Sequence, residues 1–178
     1  MNTLDDKALS DLWDQHLAAE FGAKDTEQIL ATMAPHPSLN HVPVMTGAIG
    51  REQVREFYSK YFLPQLPEDL VSTPISRTIG QGRIVDEFVS RFTHSIQMDW
   101  LLPGIPATGK VVEIATVAII QTENGKILSE RLYWDQASML VQLGLIDRSL
   151  PVLGEEGAQQ VRQPTQPMNG LIYRAQKR

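Results

Sequence analysis

The sequence predicts an α+β domain, with helices gathered in its first third and a meander of long antiparallel strands after them. Three observations predict it. Over the first 62 positions apolar residues recur at spacings of three and four, as along one face of a helix. Between 70 and 134 they alternate or run on continuously, as in strands. Two tight turn signals, Gly80-Gln81-Gly82 and Asn124-Gly125, join the strand stretches into hairpins. Helices segregated from an antiparallel sheet define the α+β class.

Taken in order, the first helix covers residues 4–21. Leu9, Leu12, Trp13, His16, Leu17, Glu20 and Phe21 form its stripe, which is apolar except at His16 and Glu20. Gly22 reads as its stop. Asp25, with Gln28 three residues on, reads as the cap of a second helix running to about residue 33 and ended by Pro35 and Pro37. Residues 38–50 read as short strands broken by Pro43 and Gly47, at an edge or a bulge, and they contain His41. A third helix over 51–62 turns Val54, Phe57, Tyr58, Tyr61 and Phe62 inward, and Pro64 ends it.

The strands follow at 70–80 and 83–100, with a loop over 101–110. Residues 111–122 are almost continuously apolar, which suits a central strand covered on both faces. The last strand, 126–134, delivers Asp135 at its end. Alternation puts Arg131, Tyr133 and Asp135 on one face and Leu132, Trp134 and Gln136 on the other, so one face carries chemistry and the other packs. After residue 150 proline, glycine and glutamine take over, which predicts a domain over 1–150 and a Pro/Gln-rich tail over 151–178. Within the tail, residues 155–162 read as a short helix, and the apolar end 170–173 as a segment docking on the body or on a partner.

Composition removes several functions. The 178 residues suffice for one domain with a sizeable core. The absence of cysteine removes disulfides, thiolate metal sites and a cysteine nucleophile. A net charge of −5 without a basic cluster speaks against nucleic acid and anionic membranes as partners. The first ten residues lack an apolar targeting core and no 18-residue apolar run occurs, so a cytoplasmic protein is expected. His16, His36, His41 and His94 show neither His-x-x-x-His nor Glu-x-x-His spacing, and phosphate-cradle and dinucleotide motifs are missing. Neither a metal nor any other cofactor is therefore expected.

The order of elements, the loop 104–110 (GIPATGK), the turn 124–126 (NGK) and above all the run from Trp134-Asp135 to Gln142-Leu143-Gly144 resemble the SnoaL-like, polyketide cyclase-like branch of the nuclear-transport-factor-2-like superfamily, over residues 9–146. The resemblance implies a cone: a curved sheet wrapped round three helices, an apolar cavity between them, and pairing through the sheet into a homodimer. In cyclases of that branch the aspartate at the position of Asp135 is the proposed acid/base of an aldol-type ring closure. Those enzymes carry a histidine on the preceding strand, where 111–121 has none, His94 being the nearest. The strings NHVP, RFTH, MDW and YWDQAS are also similar to small proteins filed beside carboxymethylenebutenolidases. The cysteine triad of true dienelactone hydrolases has no counterpart here.

Asp135 then has two readings that are compatible. In an apolar cavity its charged form is disfavoured and it becomes a proton carrier near neutral pH; as the residue before a helix-like segment it caps backbone N–H groups. His41 and His94 are the candidate helpers, or hydrogen-bonded core residues. Trp13, His16, Tyr58, Arg91, Asp99, Trp100 and Tyr133 complete the expected pocket lining. Arg91, Asp99 and Glu87, with Arg131 and Tyr133, form either a network in that pocket or cross-strand ion pairs on an exposed face. The function these readings imply is proton transfer by a lyase, isomerase, cyclase or hydrolase on an apolar carbonyl or lactone-like molecule. The alternative is a ligand-binding or dimerisation domain without catalysis.

Overall fold

Both predicted hairpin turns form, and they set the register of the sheet. At Gln81-Gly82 and Asn124-Gly125 both central residues have positive φ, the type I′ geometry whose twist matches the strands it joins. The computed structural model describes residues 5–176. Residues 1–4, including the expected start of the first helix at Leu4, and the last two residues of the basic C-terminus lie outside that range.

The strands are β1 (Met33–His41), β2 (Thr46–Ile49), β3 (Val71–Gly80), β4 (Arg83–Thr93), β5 (Val111–Glu123) and β6 (Lys126–Trp134), arranged β2-β1-β6-β5-β4-β3. All neighbours are antiparallel except β1 and β6, which run parallel; the helices and four strands between them in sequence supply the long connection that a parallel pair requires. β1 starts ahead of Pro35 and Pro37 rather than after them. Its ladder to β6 breaks between Met33 and Ser38, a bulge that accommodates two residues without N–H donors. β4 ends at Thr93 instead of running on to Trp100. The His94 N–H bonds the Lys110 carbonyl, and its own carbonyl accepts from Thr108 and Gly109, so the chain closes a loop there.

Helix α1 (Asp6–Leu17) is capped by Asp5, and α2 (Thr26–Thr32) by Asp25, which accepts from the N–H groups of Glu27 and Gln28. α3 covers Arg51–Glu56. Both α1 and α3 continue into a wider π-helical turn, at Ala18–Ala23 and Phe57–Phe62, closed by Lys24 N–H to Ala19 O and Leu63 N–H to Tyr58 O. The first continuation runs past Gly22, which therefore does not stop the helix. The extra residue per turn shifts the phase of each stripe. Phe21 and Tyr61, expected inside, are 42% and 45% exposed, whereas Glu20 and Tyr58 are buried.

The inner face of the sheet carries Leu39 and His41 on β1, Glu130, Leu132 and Trp134 on β6, Ile114 and Thr116 on β5, and Asp86, Phe88, Ser90 and Phe92 on β4. Side chains from all four strands line one cavity, so the sheet wraps as the expected cone. On β6 this is the face opposite the one assigned to chemistry by alternation. The outer face of β5 is partly covered by the chain's own C-terminal part. There α4 (Gln136–Gln142) docks through Gln142, whose amide exchanges hydrogen bonds with the Glu113 backbone, and α5 (Glu156–Arg162) pairs Arg162 with Glu113. α5 falls where the tail was expected to turn helical, and α6 (Gly170–Gln176) follows, tied by Arg174 to the Leu150 carbonyl.

Gly47, opposite Asn40 on the β1–β2 pair, has φ 141°. A Cβ there would collide with the Leu39 carbonyl oxygen. Gly47→Ala is therefore expected to cost about 2 kcal/mol, read as a lowered denaturation midpoint at unchanged m.

Candidate active site

The cone encloses a cavity of about 340 Å³, apolar over most of its wall. Its polar groups fall into three places, and sheet register orders them. One row of inner-face positions runs His41, Leu132, Ala118, Asp86, Arg77 across β1, β6, β5, β4 and β3. His41 and Asp86 thus stand three strands apart, roughly 14 Å along the sheet. Glu130 lies in the next row, beside Leu39.

His41 is the first place. The rings of Phe57, Trp100, Trp134 and Phe62 surround it at 5.6, 5.4, 5.7 and 6.3 Å, and Trp134 is fixed in turn by its N–H to Gln136. The Thr46 hydroxyl spends its hydrogen on the Trp100 carbonyl at 2.5 Å, so it can only accept from His41 Nδ1, 3.2 Å away. Nδ1 therefore carries the proton, and Nε2 keeps a lone pair with no hydrogen-bond partner among the described residues. Burial among uncharged groups lowers the pKa of the ring to about 4, against a small upward pull from the Trp100 carbonyl. At neutral pH His41 is an uncharged base on the cavity wall.

The second place is the opposite end of that row. Arg77 holds Asp86 with two parallel bonds of 3.0 Å, Trp13 donates its indole N–H to the same carboxylate at 2.8 Å, and Arg77 also reaches Asp14 and Ser10. Hydrogen bonding to Asp86 first, then to Asp14, against partial burial, keeps Arg77 charged.

The third place is a cluster at the wall made by α1 and β6. His16 Nε2 lies 3.3 Å from Glu20 Oε1 and 3.1 Å from Glu130 Oε1, all three residues being buried. The Tyr58 hydroxyl donates to Glu20 at 2.7 Å. Thr32 donates to the Ile29 carbonyl and so accepts from His16 Nδ1 at 2.6 Å, fixing the ring. Burial opposes charge on His16, but Glu130 and Glu20 together outweigh it and push its pKa up to about 10. Burial also raises the Glu130 carboxyl, with His16 pulling the other way, and burial next to both glutamates raises Tyr58 well above the usual phenol range. Two carboxylates out of water make this corner a trap for positive charge.

Of the residues expected in the site, His41, Trp13, Tyr58 and Trp100 line the cavity, and His16 sits immediately behind its wall. The others are elsewhere. Asp135 is exposed and accepts the Ser138 N–H at 3.0 Å, so its carboxylate caps α4 outside the cavity. His94 is buried behind the loop it closes, with Nδ1 on Thr108 at 3.2 Å, and does not border the cavity. Arg91 and Tyr133 are exposed on the outer face, and Asp99 braces its loop through Gln65, Gln97 and the Gly104 N–H. Glu87 bonds Ser76 instead of entering a network. The charged set around Arg91 thus does not assemble into the expected pocket network. Asp135→Ala is expected to cost about 1 kcal/mol as a lost cap, and Asp135→Asn much less, in thermal melts.

Glu20, Glu130, Asp86 and Arg77 lie outside the set of site residues that the sequence predicts. The available signal was a polar residue in an apolar stripe: His16 and Glu20 are one helical turn apart on the buried side of α1, a spacing that a search for His-x-x-x-His and Glu-x-x-His passes over.

Comparisons agree with this architecture. The chain matches the model of the SnoaL-like polyketide cyclase family over residues 10–143. Among curated proteins none matches. TsrD from Streptomyces laurentii superposes with a TM-score of 0.63 at 20% identity, covering 80% of this chain and 99% of that one. A SnoaL-like polyketide cyclase candidate from Jannaschia sp. CCS1 gives 0.67 at 15% identity, covering 83% and 99%. A hypothetical protein with a ketosteroid isomerase-like fold from Catenulispora acidiphila DSM 44928, solved with trimethylamine, gives 0.57 at 17% identity, covering 76% of this chain and 94% of that one. At these identities the superpositions establish the fold, and no helix among the described residues is long and apolar enough to cross a membrane. Matched over most of its length, the chain belongs to the SnoaL-like polyketide cyclase family.

Proposed function

We propose that the protein is an enzyme that takes a small, largely apolar carbonyl compound of polyketide type into the cone and moves a proton on it, with His41 Nε2 as the base. The observation that carries this reading is the lone pair on Nε2, left without a partner at the wall of an apolar cavity while Nδ1 is held by Thr46. A neutral imidazole there takes a proton from a carbon next to a carbonyl. The imidazolium so formed is disfavoured by burial, and the enolate formed with it supplies the compensating negative charge. The Arg77–Asp86–Trp13 end of the same row offers polar contacts to the far end of a ligand that spans it. Asp135, spent on a helix cap, has no part in the step.

The test works without identifying the product. Flat aromatic and polycarbonyl compounds are incubated with the protein in D2O, and loss of the α-carbon proton signal is followed by NMR. Wild type should accelerate exchange for at least one compound that it binds, and Asp135→Asn should do so equally. A bound compound whose exchange is no faster than in buffer points to a binding domain instead.

A further inference from the structure

We propose that His16, Glu20 and Glu130 form a binding site for a divalent first-row cation such as Zn2+ or Mn2+, placed to meet a ligand oxygen in the cavity. This deepens the reading of the same cavity as a carbonyl site and rests on it for the role of the ion, though not for its binding.

Four observations carry the site. First, the donor atoms of the three buried side chains all lie within 4.8 Å of one another. The two separations from His16 Nε2 are 3.1 and 3.3 Å. Bonds of about 2.1 Å at angles between those of an octahedron and a tetrahedron put neighbouring donors roughly 3.0–3.4 Å apart. Second, Glu130 Oε1 is buried and accepts no hydrogen bond, although Nε2 is close. A hydrogen on Nε2 points well away from it. That is the arrangement expected of adjacent ligands, which stand well off each other's metal–ligand axis. The hydrogen-bond contact of Nε2 is a long one, 3.4 Å to the Tyr58 hydroxyl.

Third, the surrounding contacts orient the ligands. Thr32 keeps a proton on His16 Nδ1, so an ion that displaces the Nε2 proton meets the lone pair of that nitrogen, and Tyr58 bonds Glu20. Fourth, charge balances. Once an ion displaces the Nε2 proton, two carboxylates and a neutral imidazole carry two negative charges out of water, which a divalent cation cancels, whereas the proton it replaces cancels one. Glu20, Glu130 and Tyr58 border the cavity, so a coordination position is left on that side. An ion there draws electrons from a substrate carbonyl oxygen and so acidifies the neighbouring C–H.

The test uses the full-length chain, freed of any tag, dialysed against EDTA and desalted. Zn2+ and Mn2+ are then added separately, retained metal is measured by mass spectrometry after a second desalting, and melting temperature is followed against free-ion concentration. Expected are one ion per wild-type chain, a melting temperature that rises with its concentration, affinity weakened 10–100-fold in Thr32→Val, and no retained ion in Glu130→Gln. Metal-free Glu130→Gln should keep the wild-type circular dichroism and a cooperative thermal transition, since Glu20 remains beside His16; this separates lost binding from lost folding. The proposal is overturned if neither cation is retained or shifts melting, or if Glu130→Gln retains as much metal as wild type. None of these readouts involves turnover, so a failed metal site leaves the His41 base in place. Conversely, a His41→Gln variant that binds metal and still exchanges protons at the wild-type rate fails only the earlier reading.

Discussion

Replacing His41 by glutamine is expected to slow α-carbon exchange by about 10²–10⁴-fold, the usual contribution of a positioned general base. Glutamine keeps a polar group of similar reach against Thr46 but has no basic nitrogen. The acid side of the pH–rate profile is the sharper signature. A histidine at its ordinary pKa loses its basic form as pH falls through 6.5, whereas His41, lowered to about 4 by burial, stays neutral well below that. Activity that depends on His41 should therefore hold from pH 7 to pH 5 and fall only as pH approaches 4. A limb centred near 6.5 assigns the base to another residue.

The same burial has a cost in stability, with a definite sign. Between pH 6.5 and about 4 the unfolded chain protonates this histidine and the folded chain does not, so the unfolded state binds more protons and stability falls as pH is lowered through that window. The loss is on the order of 3 kcal/mol when complete. The groups packed on the ring are Phe57, Phe62, Trp100, Trp134 and the Thr46 hydroxyl, none of them charged, so nothing in contact with it reverses the sign. In denaturant titrations at pH 7 and pH 4.5, His41→Gln should lose less stability than wild type.

The strands and hairpins were legible because their signals are local. Gly80-Gln81-Gly82 and Asn124-Gly125 demand positive φ, and alternation over 126–134 fixes which residues share a face. Which face turns inward is not local. It depends on where α1 and the π-helical turns pack, and the cavity takes the face of Glu130, Leu132 and Trp134, not the face that ends in Asp135. Glu20 and Glu130 illustrate the same limit. Each is a lone polar residue in its own element, and each acquires meaning only when folding brings it against His16. The π-helical turns that rotate Phe21 and Tyr61 outward leave no mark in the spacing, since both stripes read as regular helices. The end of β4 is hidden for a related reason: His94 is satisfied by residues 108–110 across a loop, and strand propensity alone carries on through Ile96.

The ion pair at the far end of the cavity gives the other large effect. Arg77→Met should destabilise the protein by about 3 kcal/mol in denaturant melts, because it strands the Asp86 carboxylate, 10% exposed, with the Trp13 N–H as its one remaining donor. The 25% exposure of Arg77 keeps the figure at the low end for a broken buried pair. Asp86→Leu alone leaves Arg77 with Asp14 and Ser10 at the surface, and should cost less. The double variant Arg77→Met/Asp86→Leu should recover at least half of the Arg77→Met loss, since apolar side chains fill the space without a stranded charge and only the Trp13 N–H goes unpaired. A double-mutant cycle then yields a coupling energy well above 1 kcal/mol for the pair. Additive losses would mean that the two side chains are effectively solvated and act independently. In that case the polar end of the cavity is wet, and a ligand spanning the row from His41 would gain little there.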